Sequence, residues 1–263
     1  MKTALFVFLL LIGVATMNAS GHSMWLESKD LANVGDTERV YALYGHLSDI
    51  TGITAPMIEA SSLLAPNGQK LNLTMKKGDW MTGFGWIGYA FSDVTLYWPG
   101  DYVFTVSRIP SVYDPGWSGT APSNPRLGYS TSKAVIHAGN ESEKSWNAGT
   151  PMELNPDKAP YDIKAKDNVT FLAKYKDQPV NATYSAFSNS DSSKTQTGAT
   201  GEDGSFVVNF NQGGLWQVSA NYDIAQDGKW TATYESAGHY KVGDEVPYNT
   251  TRYGTVMSIW VRK

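Results

Sequence analysis

The chain contains no cysteine among its 263 residues. This absence excludes disulfide bonds, zinc–thiolate sites and thiol catalysis, and it excludes the lipid-modified cysteine that anchors a lipoprotein. Histidine is also scarce, because only four are present. Any metal site in this protein must therefore be built from a few nitrogen ligands, with oxygen or thioether ligands beside them.

Charged residues make up only 17% of the chain, the formal net charge is −4, and no cluster of lysine and arginine occurs. A nucleic-acid-binding surface needs such a cluster to neutralise phosphates, so we expect no nucleic-acid partner. Common catalytic signatures are missing as well: there is no Gly-X-Ser-X-Gly elbow, no His-Glu-X-X-His pair and no phosphate-binding glycine loop. We therefore predict a binding protein and not an enzyme.

Residues 1–21 have the layout of a secretory signal, with one lysine, a short apolar run and then small polar residues. The apolar run is shorter than the roughly 20 residues that span a bilayer, and no second run reaches that length. We expect an extracytoplasmic protein, whether periplasmic, cell-surface or secreted. Cleavage after Gly21 would make His22 the first residue, whereas cleavage after Ala19 would leave His22 in third position.

Either cleavage product would present a metal-binding amino terminus. A terminal histidine chelates a transition metal through its amine and its imidazole. A histidine in third position, together with the amine and two backbone amides, supplies a square-planar nitrogen set suited to Cu(II) or Ni(II). His22 is therefore the first candidate ligand.

Alternating apolar and polar residues, frequent glycine and proline, and the lack of any 3.6-residue apolar stripe predict an all-β chain. We predict two β-sandwich domains: an N-terminal sandwich over residues 22–145 that carries the metal site, and an immunoglobulin-like Greek key over residues 150–263. The two are expected to meet near residues 140–155, where the sequence is polar and rich in turn residues. The proline-rich segment 110–127 is predicted to be a long loop.

Several motifs occur in a specific order along the chain: His-X-X-Trp-Leu-Glu beginning at His22, Tyr-Gly-His ending at His46, Pro-Gly-Asp-Tyr beginning at Pro99, and Gly-Thr-Pro-Met-Glu-Leu-Asn-Pro over 149–156. In these motifs the chain resembles the periplasmic component of nickel/cobalt uptake systems, an otherwise uncharacterised extracytoplasmic domain family. The resemblance implies a small β protein that binds a divalent transition metal and serves a membrane importer. Members often have His-Pro-Phe-Glu where this chain has His-Leu-Ser-Asp from His46.

Imidazole is the usual nitrogen ligand for nickel, cobalt and copper. We predict His22 and His46 as the main ligands and His137, which lies in an alternating strand, as the third. His239 lies in a turn-rich stretch and is expected to be a solvent-exposed loop residue. The expected ion is Ni(II) or Co(II), with Cu(II) as a further candidate.

Two other functions remain open at this point. The aromatic-rich segment 80–98 would suit a carbohydrate-binding or adhesion module if its tryptophan and tyrosine faces were exposed. A copper-dependent oxidase that uses His22 at the amino terminus is the enzymatic alternative.

Overall fold

The computed structural model describes residues 22–46, 49–50, 52, 57–82, 85–119, 121–141, 146–236 and 238–263. The predicted signal, residues 1–21, lies outside the described residues. Within the described part, 63% of the residues are in strands and no α-helix is present, so the predicted all-β class is confirmed. Short 3₁₀ turns occur there at Pro115–Ser118 and Pro160–Asp162. The described residues include no helix with the length and apolar character that a membrane crossing requires.

The strands of the described part are, in chain order, β1 (Ser23–Glu27), β2 (Leu31–Ala32), β3 (Thr37–His46), β4 (Asp49–Ile50), β5 (Ile58–Leu64), β6 (Lys70–Asn72), β7 (Lys76–Thr82), β8 (Gly85–Thr95), β9 (Gly100–Arg108), β10 (Ser111–Tyr113), β11 (Arg126–Ala138), β12 (Met152–Pro156), β13 (Asn168–Tyr175), β14 (Gln178–Pro179), β15 (Thr183–Ser188), β16 (Asp191–Ala199), β17 (Ser205–Asn209), β18 (Gly214–Thr231) and β19 (Glu245–Val261).

These strands form three sheets. The central sheet has the order β16-β15-β18-β19-β11-β9-β5-β6, with β2 and β10 paired to β11. The N-terminal sheet has the order β1-β3-β8-β7, with β4 paired to β3, and the C-terminal sheet has the order β12-β13-β14, with β17 paired to β13. In the middle of the central sheet β11 and β19 are parallel, with Lys133 opposite Met257. The central sheet therefore runs through both halves of the chain.

Successive residues of the central sheet face two different hydrophobic cores. In β9, Val103 belongs to the core of the C-terminal half and Phe104 to that of the N-terminal half, and in β11 Val135 and Ile136 divide in the same way. Side chains alternate across a strand, so the two cores lie on opposite faces of one sheet. The predicted division near residues 140–155 did not anticipate this shared sheet.

The C-terminal half has the immunoglobulin-like Greek-key arrangement that the turn spacing predicted. Strands β12, β13 and β17 form one layer, and β16, β15, β18 and β19 form the other. Phe171, Trp216 and Ile259 are buried between the two layers. The predicted all-β sandwich fold is thus confirmed.

Strand β1, which follows His22, is tied to the central sheet. The Ser132 hydroxyl donates to the carbonyl oxygen of Met24 at 2.7 Å, and the backbone amide of Leu26 donates to the Ser258 hydroxyl at 3.3 Å. Trp25 between them is fully buried. These contacts fix the chain that follows His22 against β11 and β19.

Strands β18 and β19 continue beyond the sheet as a two-stranded ribbon. β15 pairs with β18 only as far as Asn221, whereas β18 and β19 remain paired up to Thr231 and Glu245. The residues between the two strands, 232–236 and 238–244, are called the ribbon tip below. The ribbon tip reaches the N-terminal half of the protein, at the end where β9 finishes.

Candidate metal site

The backbone places His22 and His46 at neighbouring positions. Strand β1 pairs with β3 in antiparallel register, with Ser23 opposite Gly45. His22 directly precedes Ser23, and His46, the last residue of β3, directly follows Gly45, so continuing the same register places His22 opposite His46. Facing residues of an antiparallel pair have Cα atoms about 4.5–5.5 Å apart. Two histidines that are distant in sequence therefore meet at one end of the N-terminal sheet, here called the His22 end.

The side chain of His46 lies outside the described part, so the site is defined by its backbone position. Asp49 in β4 is paired with His46, which brings a carboxylate-bearing residue to the same end. Within the residues whose side chains are described, no three or more histidine, aspartate or glutamate side chains are grouped to hold a metal ion.

Tyr44 is the neighbour of the His22 ring. The His22 side chain is exposed, and its ring centroid lies 5.6 Å from that of Tyr44, with the planes tilted by 54°. The guanidinium of Arg108, at the end of β9, also lies against Tyr44, with its central carbon 4.8 Å from the ring centroid. Arg108 Nη1 donates a hydrogen bond to the Tyr44 hydroxyl at 3.1 Å. The His22 ring and the Arg108 charge therefore contact the same aromatic ring.

Arg108 also connects this end to the ribbon tip, because its Nη2 donates to the Tyr234 hydroxyl at 3.1 Å. Tyr234 contacts Tyr240 edge-on at 5.9 Å. Burial raises the pKa of the Tyr240 hydroxyl, and its hydrogen bond with Tyr234 raises that pKa further. The Tyr240 hydroxyl consequently stays protonated and uncharged at neutral pH.

His239 extends the aromatic contacts of the ribbon tip. As predicted it is exposed, and its ring is stacked on Trp117 at 4.1 Å with an interplanar angle of 10°. Trp117 belongs to the 3₁₀ turn after Asp114, whose carboxylate accepts from the backbone amides of Gly116 and Asn124. The segment expected to be a long loop thus contains β10 and an ordered turn that supports the ribbon tip.

His137 has different surroundings. Its side chain is only 13% exposed, and Nδ1 lies 2.7 Å from Asp101 Oδ1. Nε2 lies 2.9 Å from the carbonyl oxygen of Gly139, which can only accept, so Nε2 carries a hydrogen. A carboxylate on one ring nitrogen is usual for a metal-binding histidine, but the other nitrogen must then be open to the metal. Both nitrogens of His137 are engaged.

His137 is also distant from His22 along the sheet. Ser132 contacts Met24, and His137, five residues further along β11, is paired with Leu31. At a rise of about 3.3 Å per residue, Ser132 and His137 are roughly 16 Å apart. The structure therefore brings together the backbones of His22 and His46 but does not bring His137 to them, and the predicted three-histidine set has no geometric support.

His137 instead belongs to a buried network between the two halves, here called the junction network. Asp101 Oδ2 accepts hydrogen bonds from Trp146 Nε1 at 2.8 Å and from the Tyr161 hydroxyl at 3.3 Å. The Tyr161 ring is stacked on His137 at 4.3 Å. Lys133 contacts the same network through Trp146, because its buried ammonium donates to the carbonyl oxygen of Trp146 at 3.0 Å. Sequence reasoning missed these partners, since they come from four different segments of the chain.

A cleft of about 610 Å³ lies at the opposite end of β1, beside Trp260. It is lined by three acidic and three basic side chains. Four of these six are paired with one another: Lys29 with Glu38 at 2.9 Å, and Arg262 with Asp30 at 2.9 Å. Burial raises the pKa of Asp30, and the Arg262 charge opposes that rise. Since its acidic and basic groups offset each other, the cleft does not present the concentrated negative charge that would attract a cation.

Two exposed aromatic side chains of the segment 80–98 are described, and they do not form a flat platform. Tyr97 is 65% exposed and Trp98 37%, and their rings meet edge-to-face at 69°. The side chains of residues 80–87 lie outside the described part. The arrangement of Tyr97 and Trp98 does not favour the carbohydrate-binding alternative.

Comparison with known proteins assigns the chain to a family. The family described as a domain of unknown function (DUF4198) matches residues 19–224, which include His22, His46 and most of both sandwiches. The chain belongs to this family. The search of curated proteins returned no match. Among solved structures, the chain is similar over 90% of its length to a mutant of Salmonella alpha-2-macroglobulin, at 12% identity and a TM-score of 0.24, and it spans 15% of the length of that protein.

Proposed function

We propose that this protein is an exported binding protein that captures a divalent transition metal ion, Ni(II) or Co(II), and passes it to a membrane importer. The observation that carries the proposal is the register of β1 on β3, which leaves His22 and His46 at facing positions. The preference for nickel or cobalt, and the importer as partner, rest on the motif resemblance, because membership of the family does not by itself identify a metal.

The ligand set follows from the chemistry of the amino terminus. Cleavage after Gly21 would free the amine of His22, so that two imidazoles and one amine could meet at the His22 end. Nitrogen ligands of this kind suit Ni(II), Co(II) and Cu(II), and Asp49 could add a carboxylate oxygen. His137 is left out of the set because both of its ring nitrogens are engaged.

Isothermal titration of the chain that begins at His22 with Ni(II), Co(II), Cu(II) and Zn(II) tests the proposal. Loss of even an outer partner of a metal ligand lowers affinity by roughly 10–100-fold, so we expect His46→Ala to weaken Ni(II) or Co(II) binding at least that much. His239→Ala is the matched control, because it removes another imidazole, one that is exposed on the ribbon tip and outside the proposed site. Equal affinities of the two variants would contradict the proposed site.

One methionine added before His22 tests the amine separately. The added peptide bond removes the lone pair of the amine and leaves the imidazole intact, so binding should weaken more than it does in Glu27→Gln. If the extended chain binds as tightly as the original, the amine takes no part. A Cu(II) affinity far above that for Ni(II) and Co(II), with oxygen-dependent oxidation of a polysaccharide, would instead support the copper-oxidase alternative.

A further inference from the structure

Arg108 carries a positive charge that no described carboxylate offsets. Three of the five arginines of the chain pair with an aspartate at 2.9 Å or less: Arg39 with Asp93, Arg252 with Asp223 and Arg262 with Asp30. The hydrogen bonds of Arg108 within the described part go to two tyrosine hydroxyls instead. The Nε atom of Arg108 is buried and has no hydrogen-bond partner among the described residues.

A guanidinium withdrawn from water without a counter-charge is unfavourable, since hydroxyl acceptors replace only part of its hydration. Among the described side chains, the hydroxyls that contact Arg108 do not supply the missing negative charge. Burial keeps the pKa of the neighbouring Tyr240 raised, so that this phenol is not a phenolate at neutral pH. Within the described residues, the end of β9 therefore carries a positive charge without a carboxylate partner, in a protein whose net charge is −4.

This charge lies next to the proposed metal site, because Arg108 and His22 contact the same Tyr44 ring. A fixed cation beside a metal site repels a bare divalent ion. It attracts a metal complex whose ligands carry negative charge. Arginine in particular suits carboxylates, since its planar fork of five N–H groups can donate two parallel hydrogen bonds to one carboxylate.

We propose that the His22 end binds the metal as a complex with a small carboxylate-bearing chelator, and that Arg108 pairs with a carboxylate of that chelator. The inference rests on the proposed function, because it concerns the form in which the same site receives its metal. His22 and His46 would then hold the ion, while Arg108 would select the chelate over the hydrated ion.

Equilibrium dialysis with radiolabelled citrate, and in parallel with radiolabelled L-histidine, tests this inference on the chain that begins at His22. Each chelator is supplied with and without one equivalent of Ni(II). We expect the protein to retain at least one of the two chelators when Ni(II) is present and neither when it is absent. Arg108→Gln should lower that retention by roughly tenfold, as expected for loss of a charge-assisted pair, while binding of Ni(II) without chelator persists.

Arg252→Gln is the matched control, because Arg252 already has a carboxylate partner in Asp223, where the ribbon leaves the sheet, and its loss should leave retention unchanged. If Ni(II) alone binds but neither chelator is retained by the wild-type chain, the inference is overturned and the proposed function stands. If Ni(II) binds in no arm, the proposed function itself is overturned. The wild-type measurement decides the inference even if Arg108→Gln fails to fold.

Discussion

The junction network and the His22 end both contain a histidine of the N-terminal half, yet they use it in opposite ways. At the junction, His137 is nearly buried and has an acceptor on each ring nitrogen. At the other end, His22 is exposed beside a tyrosine and faces the backbone position of a second histidine. The comparison shows why a histidine in an apolar strand is a poor ligand candidate when, as at His137, both ring nitrogens already contact protein acceptors.

The largest effect is expected at the buried ion pair beside the junction network. Lys133 Nζ lies 3.0 Å from Glu153 Oε2, and both side chains are almost fully buried. Lys133→Ala would leave Glu153 charged and unpaired, so urea unfolding should show a loss of about 3–5 kcal/mol. Lys29→Ala removes the exposed partner of the Lys29–Glu38 pair, which solvent screens, so it should leave the free energy of unfolding nearly unchanged. A similar small loss for both variants would show that the buried pair is not structural.

The next effect separates the two histidine regions directly. His137→Ala removes two hydrogen bonds and leaves an acceptor of Asp101 without its partner, so we expect a loss of about 2–3 kcal/mol in the free energy of unfolding. Because His137 is outside the site, Ni(II) affinity of the folded variant should be unchanged. A large loss of affinity with unchanged stability would reverse the roles that we assign to His137 and His22.

At the His22 end the expected effects are on binding, not on folding. His22 is exposed, so His22→Ala should change the free energy of unfolding by no more than about 0.5 kcal/mol. If His22 and His46 bind the same ion, the double variant should weaken Ni(II) binding by less than the two single losses combined. Strict additivity in isothermal titration would mean that the two histidines bind independently.

Sequence reasoning found the elements of the His22 end because they depend on local patterns. The alternation from Glu38 predicts a strand that ends at His46, and the structure has this strand as Thr37–His46. The register of β1 on β3 could not be predicted in the same way, since it depends on contacts of β1 with β11 and β19. Arg108 was missed for the same reason, because its partners Tyr44 and Tyr234 are 64 and 126 residues away in sequence.

The partners in the junction network could not be predicted from local sequence patterns. His137 stood out in the sequence only as a histidine in an apolar strand, and its partner Asp101 is 36 residues away. Local patterns could not predict the shared central sheet either, because it depends on the parallel pairing of β11 with β19, which joins strands from the two predicted domains. The ordered turn in segment 110–127 depends on Asp114 accepting from backbone amides, which a proline-rich composition does not reveal.

The last expected effect is the pH response of the same ion pair. Burial acts to raise the pKa of Glu153, but the Lys133 ammonium and hydrogen bonds from Thr150 outweigh it and hold this pKa below its ordinary value of 4.5. The stabilisation is therefore fully present above about pH 4.5 and is lost as the pH falls through the folded-state pKa. Metal binding should already weaken nearer pH 6.5, where imidazole takes up a proton.

Glu153→Gln should reduce the loss of stability that the wild-type protein shows below about pH 4.5. The measurement is the urea midpoint at a series of pH values. Glu202→Gln, at an exposed position, is the control and should keep the wild-type profile. An unchanged acid response in Glu153→Gln would mean that other carboxylates control acid unfolding.

The central claim is that His22 and His46 hold one metal ion, and anomalous diffraction at the nickel absorption edge tests it most directly. Crystals of the chain that begins at His22, grown with Ni(II), should show one strong anomalous peak about 2.0–2.1 Å from a ring nitrogen of each histidine. A principal peak at His137 or His239, or no peak between His22 and His46 at full nickel loading, would contradict the account.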